Sequence, residues 1–538
     1  MPTRTATASP GPAERSPGPE EPDGQDPLIV QTTDGTVRGV VRRGLRMWRG
    51  IPYAAAPVGP LRFRSPRPPA PWVGVRDATD FGPVSVQDRK GPFVGASRTV
   101  AMSEDCLSIN VIAPAAASVS PGASALPVMV WIHGGAYTVG SSQEMDRQGE
   151  VLVREGGVIF VNLNYRLGAL GYLDFSSFST PERTFESNLG LRDQVAALEW
   201  VQENIAAFGG DPDNVTLFGE SAGANAVTTL LAVPRARGLF ARAIAESPPA
   251  DAVYGKELTA VWAGEFLELL TEIVDDQSTD STSHEDAAAL LDTAPLDALV
   301  RAATRMQLLT PDVNPGTISF CPVIDGDFLP ERPIDAIDNG HAHPVPLIIG
   351  TNDREGSLFR GRLDILATTP PRIRAIFAKT KKKARKRLKA LYPGLPEKRP
   401  AADFGGDYSF WYPSIRVAER HADVAPVHFY RFDLAPRLIR MMGLDATHGI
   451  EMFAIFDKGS GLRGRAIGVF GGYNAFQATG RRMRANWLRF AHTGRVDPSW
   501  PTYTSRKRNT LIIDSVDRIE QDPRGDKRRA WQEFVPHV

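Results

Sequence analysis

Short apolar runs separated by turn residues recur along the chain. PVMVWI (127–132), VIFVNL (158–163), VTLF (215–218), PLIIG (346–350) and VHFYRF (427–432) are continuous rather than alternating. That is the pattern of strands buried on both faces. Between the second and third runs, Leu191, Val195, Leu198, Val201 and Ile205 recur every three or four residues, which predicts an amphipathic helix over 191–208. Gly209-Gly210 should end it, and Asp211-Pro212-Asp213-Asn214 predicts a turn into the next strand. Strand, helix, strand in that order implies parallel pairing with helices on both faces, so the fold class is α/β.

The first 27 residues depart from this pattern. Seven prolines and almost no large apolar side chains cannot bury enough surface to offset ordering entropy, so a disordered N-terminal extension is expected there. The segment lacks the apolar core of a secretory signal, and no run of 18 apolar residues follows; no membrane span is expected, and the expected location is cytoplasmic. Residues 275–285 (DDQSTDSTSHE) read as an exposed polar loop, and 379–389 (KTKKKARKRLK) as a solvated helix with eight basic side chains or a docking patch for an anionic partner.

Length alone, 538 residues, would allow three or four domains. Basic and acidic residues balance at 62 each, which gives no overall electrostatic reason to expect nucleic acid or an anionic membrane as the main partner. Two cysteines, Cys106 and Cys321, exclude a disulfide scaffold and a multi-cysteine zinc module.

Chemistry concentrates at VTLFGESAGANAVTTLL (215–231), where a strand runs into Gly219-Glu220-Ser221-Ala222-Gly223 and then a helical pattern. Two glycines permit the sharp turn that lifts a serine hydroxyl clear of a sheet. A serine is a poor nucleophile unaided, so Ser221 requires a base and an orienting acid. Of nine histidines, His428 sits in a strand pattern and His492 closes a helix; His448, in the polar segment Asp445–Gly449, is the candidate base. His133-Gly134-Gly135-Ala136 follows an apolar strand at once, and its small residues would let backbone amides approach a substrate oxygen.

With these residues in hand, the chain resembles the type-B carboxylesterase family of α/β-hydrolases. Ten markers stand in family order from residue 50 onward: GIPYA, GPLRF, SEDCL, WIHGGAY, NYRLG, NLGLRDQ, GGDPDNVTLFGESAG, GTNDREG, THG and FAHTG. The resemblance implies a single catalytic domain over 28–538 and a serine carboxylic-ester hydrolase that forms an acyl-enzyme on small to medium apolar esters. It needs neither metal nor cofactor. Ser221 would be the nucleophile, His448 the base and Glu355 the orienting acid, with Asp353 the nearest rival. Gly135, Ala136 and Ala222 would supply the oxyanion amides, and Glu220, Ser247 and Glu451 would support the site. Ion pairs are implied between Arg62 and Glu104 and between Arg166 and Asp193. Ser85 stands where secreted relatives carry a cysteine that pairs with the one in SEDCL, so Cys106 should be a free thiol. Residues 87–102 hold Phe93 and no tryptophan, so choline esters are not expected. An amidase, carbamate hydrolase or lactonase with the same triad, or a catalytically inactive binding homologue, are the alternatives. The partner is a small-molecule ester; oligomeric state is not implied.

Overall fold

A computed structural model describes residues 26–534 other than 90–95, 98, 116–123, 144–148, 275–283, 360, 362 and 458–470. All but the last two residues of the proline-rich extension, Phe93, and most of the 275–285 stretch lie outside the described residues.

The apolar runs become the middle of an eleven-stranded sheet. In chain order its strands are β1 (Val40–Arg42), β2 (Leu45–Pro52), β3 (Ser108–Pro114), β4 (Leu126–Ile132), β5 (Ile159–Leu163), β6 (Gly210–Glu220), β7 (Arg242–Glu246), β8 (Leu347–Asn352), β9 (Val427–Phe432), β10 (Asn509–Ile513) and β11 (Arg518–Gln521). Their spatial order is β1-β2-β3-β5-β4-β6-β7-β8-β9-β10-β11. β4 to β10 are mutually parallel, and the flanking pairings are antiparallel. Alternation explains why these strands are apolar throughout: Val128, Val130 and Ile132 enter the core on one face, Met129 and Trp131 that on the other.

The helices that bear on the site are α1 (Leu189–Asn204), α2 (Ala222–Leu230), α3 (Leu296–Val313), α4 (Pro370–Ala378), α5 (Lys382–Ala390), α6 (Ile450–Ile455) and α7 (Tyr473–Thr493). The predicted 191–208 helix starts at Leu189, and its last four residues tighten to a 3₁₀ turn, Ile205–Phe208. The turn expected at 211–214 is absorbed into β6 as an irregularity. Leu126 pairs with Gly210 and Val128 already with Val215, so the intervening residues bulge from the ladder. Pro212 has no N–H for the ladder, and the Asp213 amide bonds Asp211 Oδ1 (3.0 Å) instead.

Two ion pairs, one buried and one partly buried, tie loops to this frame. Arg166 grips Asp193 of α1 in a two-pronged contact, 2.8 and 2.6 Å, and Arg62 does the same to Glu104, 2.7 and 2.8 Å. Ser85 hydrogen-bonds the Cys106 thiol, and both are buried.

Candidate active site

Ser221 sits between β6 and α2 with φ 58° and ψ −122°, a left-handed strain that non-glycine residues rarely bear. Its flanking glycines are sterically obligatory. A Cβ on Gly223 would lie 2.1 Å from the Ile132 carbonyl oxygen, and one on Gly219 would lie 2.6 Å from the Gly223 carbonyl carbon. The turn is therefore pressed against the end of β4, which also delivers the glycine loop. The Ser221 amide donates to Glu246 O (2.9 Å), locking the turn onto β7.

His448 lies 227 positions downstream, and its Nε2 stands 2.8 Å from Ser221 Oγ. Its Nδ1 meets Glu355 Oε2 at 2.6 Å. Glu355 follows β8 and is itself fixed: its Oε1 accepts from the Asn352 amide and from Ser247 Oγ, both at 2.6 Å. Asp353, the rival acid, is turned away and paired with Arg524 Nη2 at 2.6 Å.

The His448 loop is strapped to the Glu355 segment. The Arg354 amide donates to Ala446 O (3.0 Å), and Arg354 Nη1 pairs with Asp445 (2.7 Å). Ser357 Oγ lies within 2.7 Å of both Leu444 O and Thr447 Oγ1.

Gly135 and Ala136 follow β4 with φ 110° and 53°. Ala222 is the first residue of α2, where a helix amide has no intrahelical partner. Among the described residues these three amides donate to no protein acceptor. His133 supports the loop rather than reacting. It stacks on Tyr165 with centroids 4.3 Å apart, and burial pushes its imidazole down to about 4, leaving it neutral.

Behind His448, four glutamates converge. Glu220 Oε1 stands 3.3 Å from its Nε2. Glu451 Oε2 accepts from Asn352 Nδ2 at 2.6 Å, and its Oε1 lies 3.3 Å from Ser247 Oγ. Glu246, fully buried, accepts from Trp487 Nε1 of α7 at 2.8 Å. Burial, then repulsion from Glu220, Glu355 and Glu246, drives Glu451 well above the usual carboxylate range, favouring its protonated form. Burial opposes protonation of His448, but the charges of Glu220 and Glu355 outweigh it and raise the imidazole above its ordinary value.

All nine expected site residues thus meet in one place. The sequence reading missed Asn352, Glu246, Trp487 and the apolar wall of Phe359 and Phe410, whose rings lie 5.2 and 4.4 Å from that of His448. Asn352, inside the GTNDREG marker, was the one with a local signal.

A family model described as "Carboxylesterase family" matches residues 26–531. The para-nitrobenzyl esterase of Bacillus subtilis (strain 168) is 38% identical over 504 residues, 93% of this chain and 98% of that protein. The cocaine esterase of Homo sapiens is 32% identical over 528 residues, 92% and 88% of the two chains. Among solved structures, a PNB esterase superposes with TM-score 0.81 at 36% identity, covering 95% of this chain and all of that one (100%). A carboxylesterase of Geobacillus stearothermophilus gives 0.77 at 33% identity, covering 94% and 100%. With the α/β-hydrolase sheet and these likenesses spanning nearly its whole length, the chain belongs to the carboxylesterase family, as a serine carboxylic-ester hydrolase.

Proposed function

We propose that Ser221, His448 and Glu355 form the catalytic triad of this esterase, and that Gly135, Ala136 and Ala222 form its oxyanion hole. The contact of Ser221 Oγ with His448 Nε2 at 2.8 Å carries the reading, because it puts a base on a hydroxyl lifted off the sheet by a strained turn. His448 takes the serine proton as Oγ attacks the ester carbonyl. The oxygen, now anionic, moves onto the three amides, each worth a factor of about 10² to 10³ in rate. The tetrahedral intermediate expels the alcohol, which takes the proton from His448. Water then repeats the cycle on the acyl-serine: His448 removes its proton, the carboxylic acid leaves, and Oγ is reprotonated. Glu355 keeps the imidazole in the reactive tautomer and stabilises its cationic form. Glu220, Ser247 and Glu451 support this arrangement without bonding to substrate.

The wall of Phe359 and Phe410 favours small to medium apolar esters. We read 28–538 as one catalytic domain, since the triad draws on segments from across that span. The test is turnover of p-nitrophenyl esters of graded acyl length. Ser221→Ala should lower kcat by at least about 10⁴; a variant with near wild-type turnover would overturn the assignment.

A further inference from the structure

The zero net charge conceals a strong segregation. Residues 370–400 carry twelve basic side chains against one acidic, Glu397, leaving the rest of the chain correspondingly negative. α5 alone holds Lys382, Lys383, Arg385, Lys386, Arg387 and Lys389, many of them three or four residues apart, where like charges destabilise a helix. Of the eight basic residues in 379–389, only Arg387 is in an ion pair among the described residues, with Glu533. The helix is held by other means: Ala384 and Leu388 are buried, and Lys389 lies over Phe377 of α4. Apart from Arg387 and Lys389, the cations of α5 make no ion pair or ring contact among the described residues.

The start of this stretch is tied to a helix that touches the oxyanion loop. Gln307 of α3 donates to Thr138 Oγ1 at 2.9 Å, two residues beyond Ala136, so the C-terminal end of α3 overhangs the oxyanion loop. The same end is bound to α4 by Arg372 Nε and Asp312 Oδ1 at 2.6 Å. One turn before Asp312, on the side that faces α4, are Leu308 and Leu309, with Val313 beyond. These three apolar side chains are 52%, 45% and 64% exposed. Exposed apolar side chains beside a basic apron are the two components of interfacial membrane attachment. The basic helix presents no exposed aromatic side chain for stacking on nucleic-acid bases.

We propose that this face docks the enzyme on an anionic phospholipid bilayer, the 374–389 stretch against the headgroups and Leu308, Leu309 and Val313 in the interface. Apolar esters dissolved in the bilayer would then enter the site without crossing bulk water. Attachment needs no hydrolysis, so it stands or falls separately from the triad.

The experiment is co-sedimentation of the full chain, as wild type and as Ser221→Ala, with vesicles of equimolar phosphatidylcholine and phosphatidylglycerol at low ionic strength. Both proteins should bind alike, and 0.5 M salt should release them, given a screening length of about 4 Å there. Lys382→Glu/Lys383→Glu/Lys386→Glu should bind at least about tenfold more weakly, while its p-nitrophenyl acetate turnover in solution stays at the wild-type level. Leu308→Ser/Leu309→Ser/Val313→Ser should weaken binding too. Absence of binding, equal binding to pure phosphatidylcholine, or tighter binding to duplex DNA than to the anionic vesicles would each overturn the proposal.

Discussion

Four glutamates crowd the space behind one imidazole, and their mutual repulsion sets how the site titrates. His448 must be neutral to accept the serine proton, and its folded-state value lies above the ordinary 6.5. kcat/KM should therefore fall as the pH drops through a point above 6.5. In Glu220→Gln, which removes the nearest charge on Nε2, that acid limb should move to lower pH. A wild-type limb below 6.5, or no movement in the variant, would show that the field is not organised this way. The same repulsion favours the protonated form of Glu451, so Glu451→Gln should move the limb less than Glu220→Gln does. Glu451→Ala removes the shorter of the two hydrogen bonds of Asn352 Nδ2, leaving the 3.3 Å one to Ser247 Oγ, and should cost about 1–3 kcal/mol of stability in chemical denaturation.

Between elements, the decisive contacts are backbone against backbone. Gly223→Ala would drive a methyl group into the Ile132 carbonyl, and the strand–turn–helix unit has no room to yield. A loss of about 3 kcal/mol is expected, with kcat falling further than KM changes, because the displaced group is Ser221 itself. Asp193→Asn leaves the Arg166 guanidinium buried without its countercharge and should cost about 3–5 kcal/mol; a loss below 1 kcal/mol would count against the pair as a fastening. The same distinction between local and distant partners governs what was legible beforehand. β4, β5, β6, β8 and β9 announce themselves as apolar runs, and Ser221 is read from the turn that its own neighbours make. β2 escapes notice because Arg46 and Arg49 interrupt its pattern; both are nevertheless buried, each over an aromatic ring. His448 could be singled out from its polar segment only as a candidate, and Glu355 only through a family marker, since no local periodicity brings together residues 93 positions apart. Phe410 and Trp487 had no signal at all: each matters through a ring or carboxylate that the sheet topology brings to it.

Across the whole molecule, a balanced charge says nothing of its distribution, because the excess on 370–400 is cancelled elsewhere rather than nearby. Cysteine usage was the better global reading. Cys106 and Cys321 are free and buried, and burial pushes the Cys106 thiol up to about 12. Neither should react with a thiol reagent in the native protein, and both should react once it is unfolded; native-state labelling would contradict their burial. Thiol reactivity then becomes a direct count of globally opened molecules. Ser85 extends the point. Its hydroxyl lies against Cys106, at the position where the resemblance implies a cysteine in secreted relatives. Ser85→Cys should close a covalent ring there under oxidising conditions, adding about 3 kcal/mol that dithiothreitol removes. The natural chain should melt at the same temperature with or without that reductant. One oxygen in place of sulfur thus frees this fold from any dependence on the redox poise of the solution in which it is made.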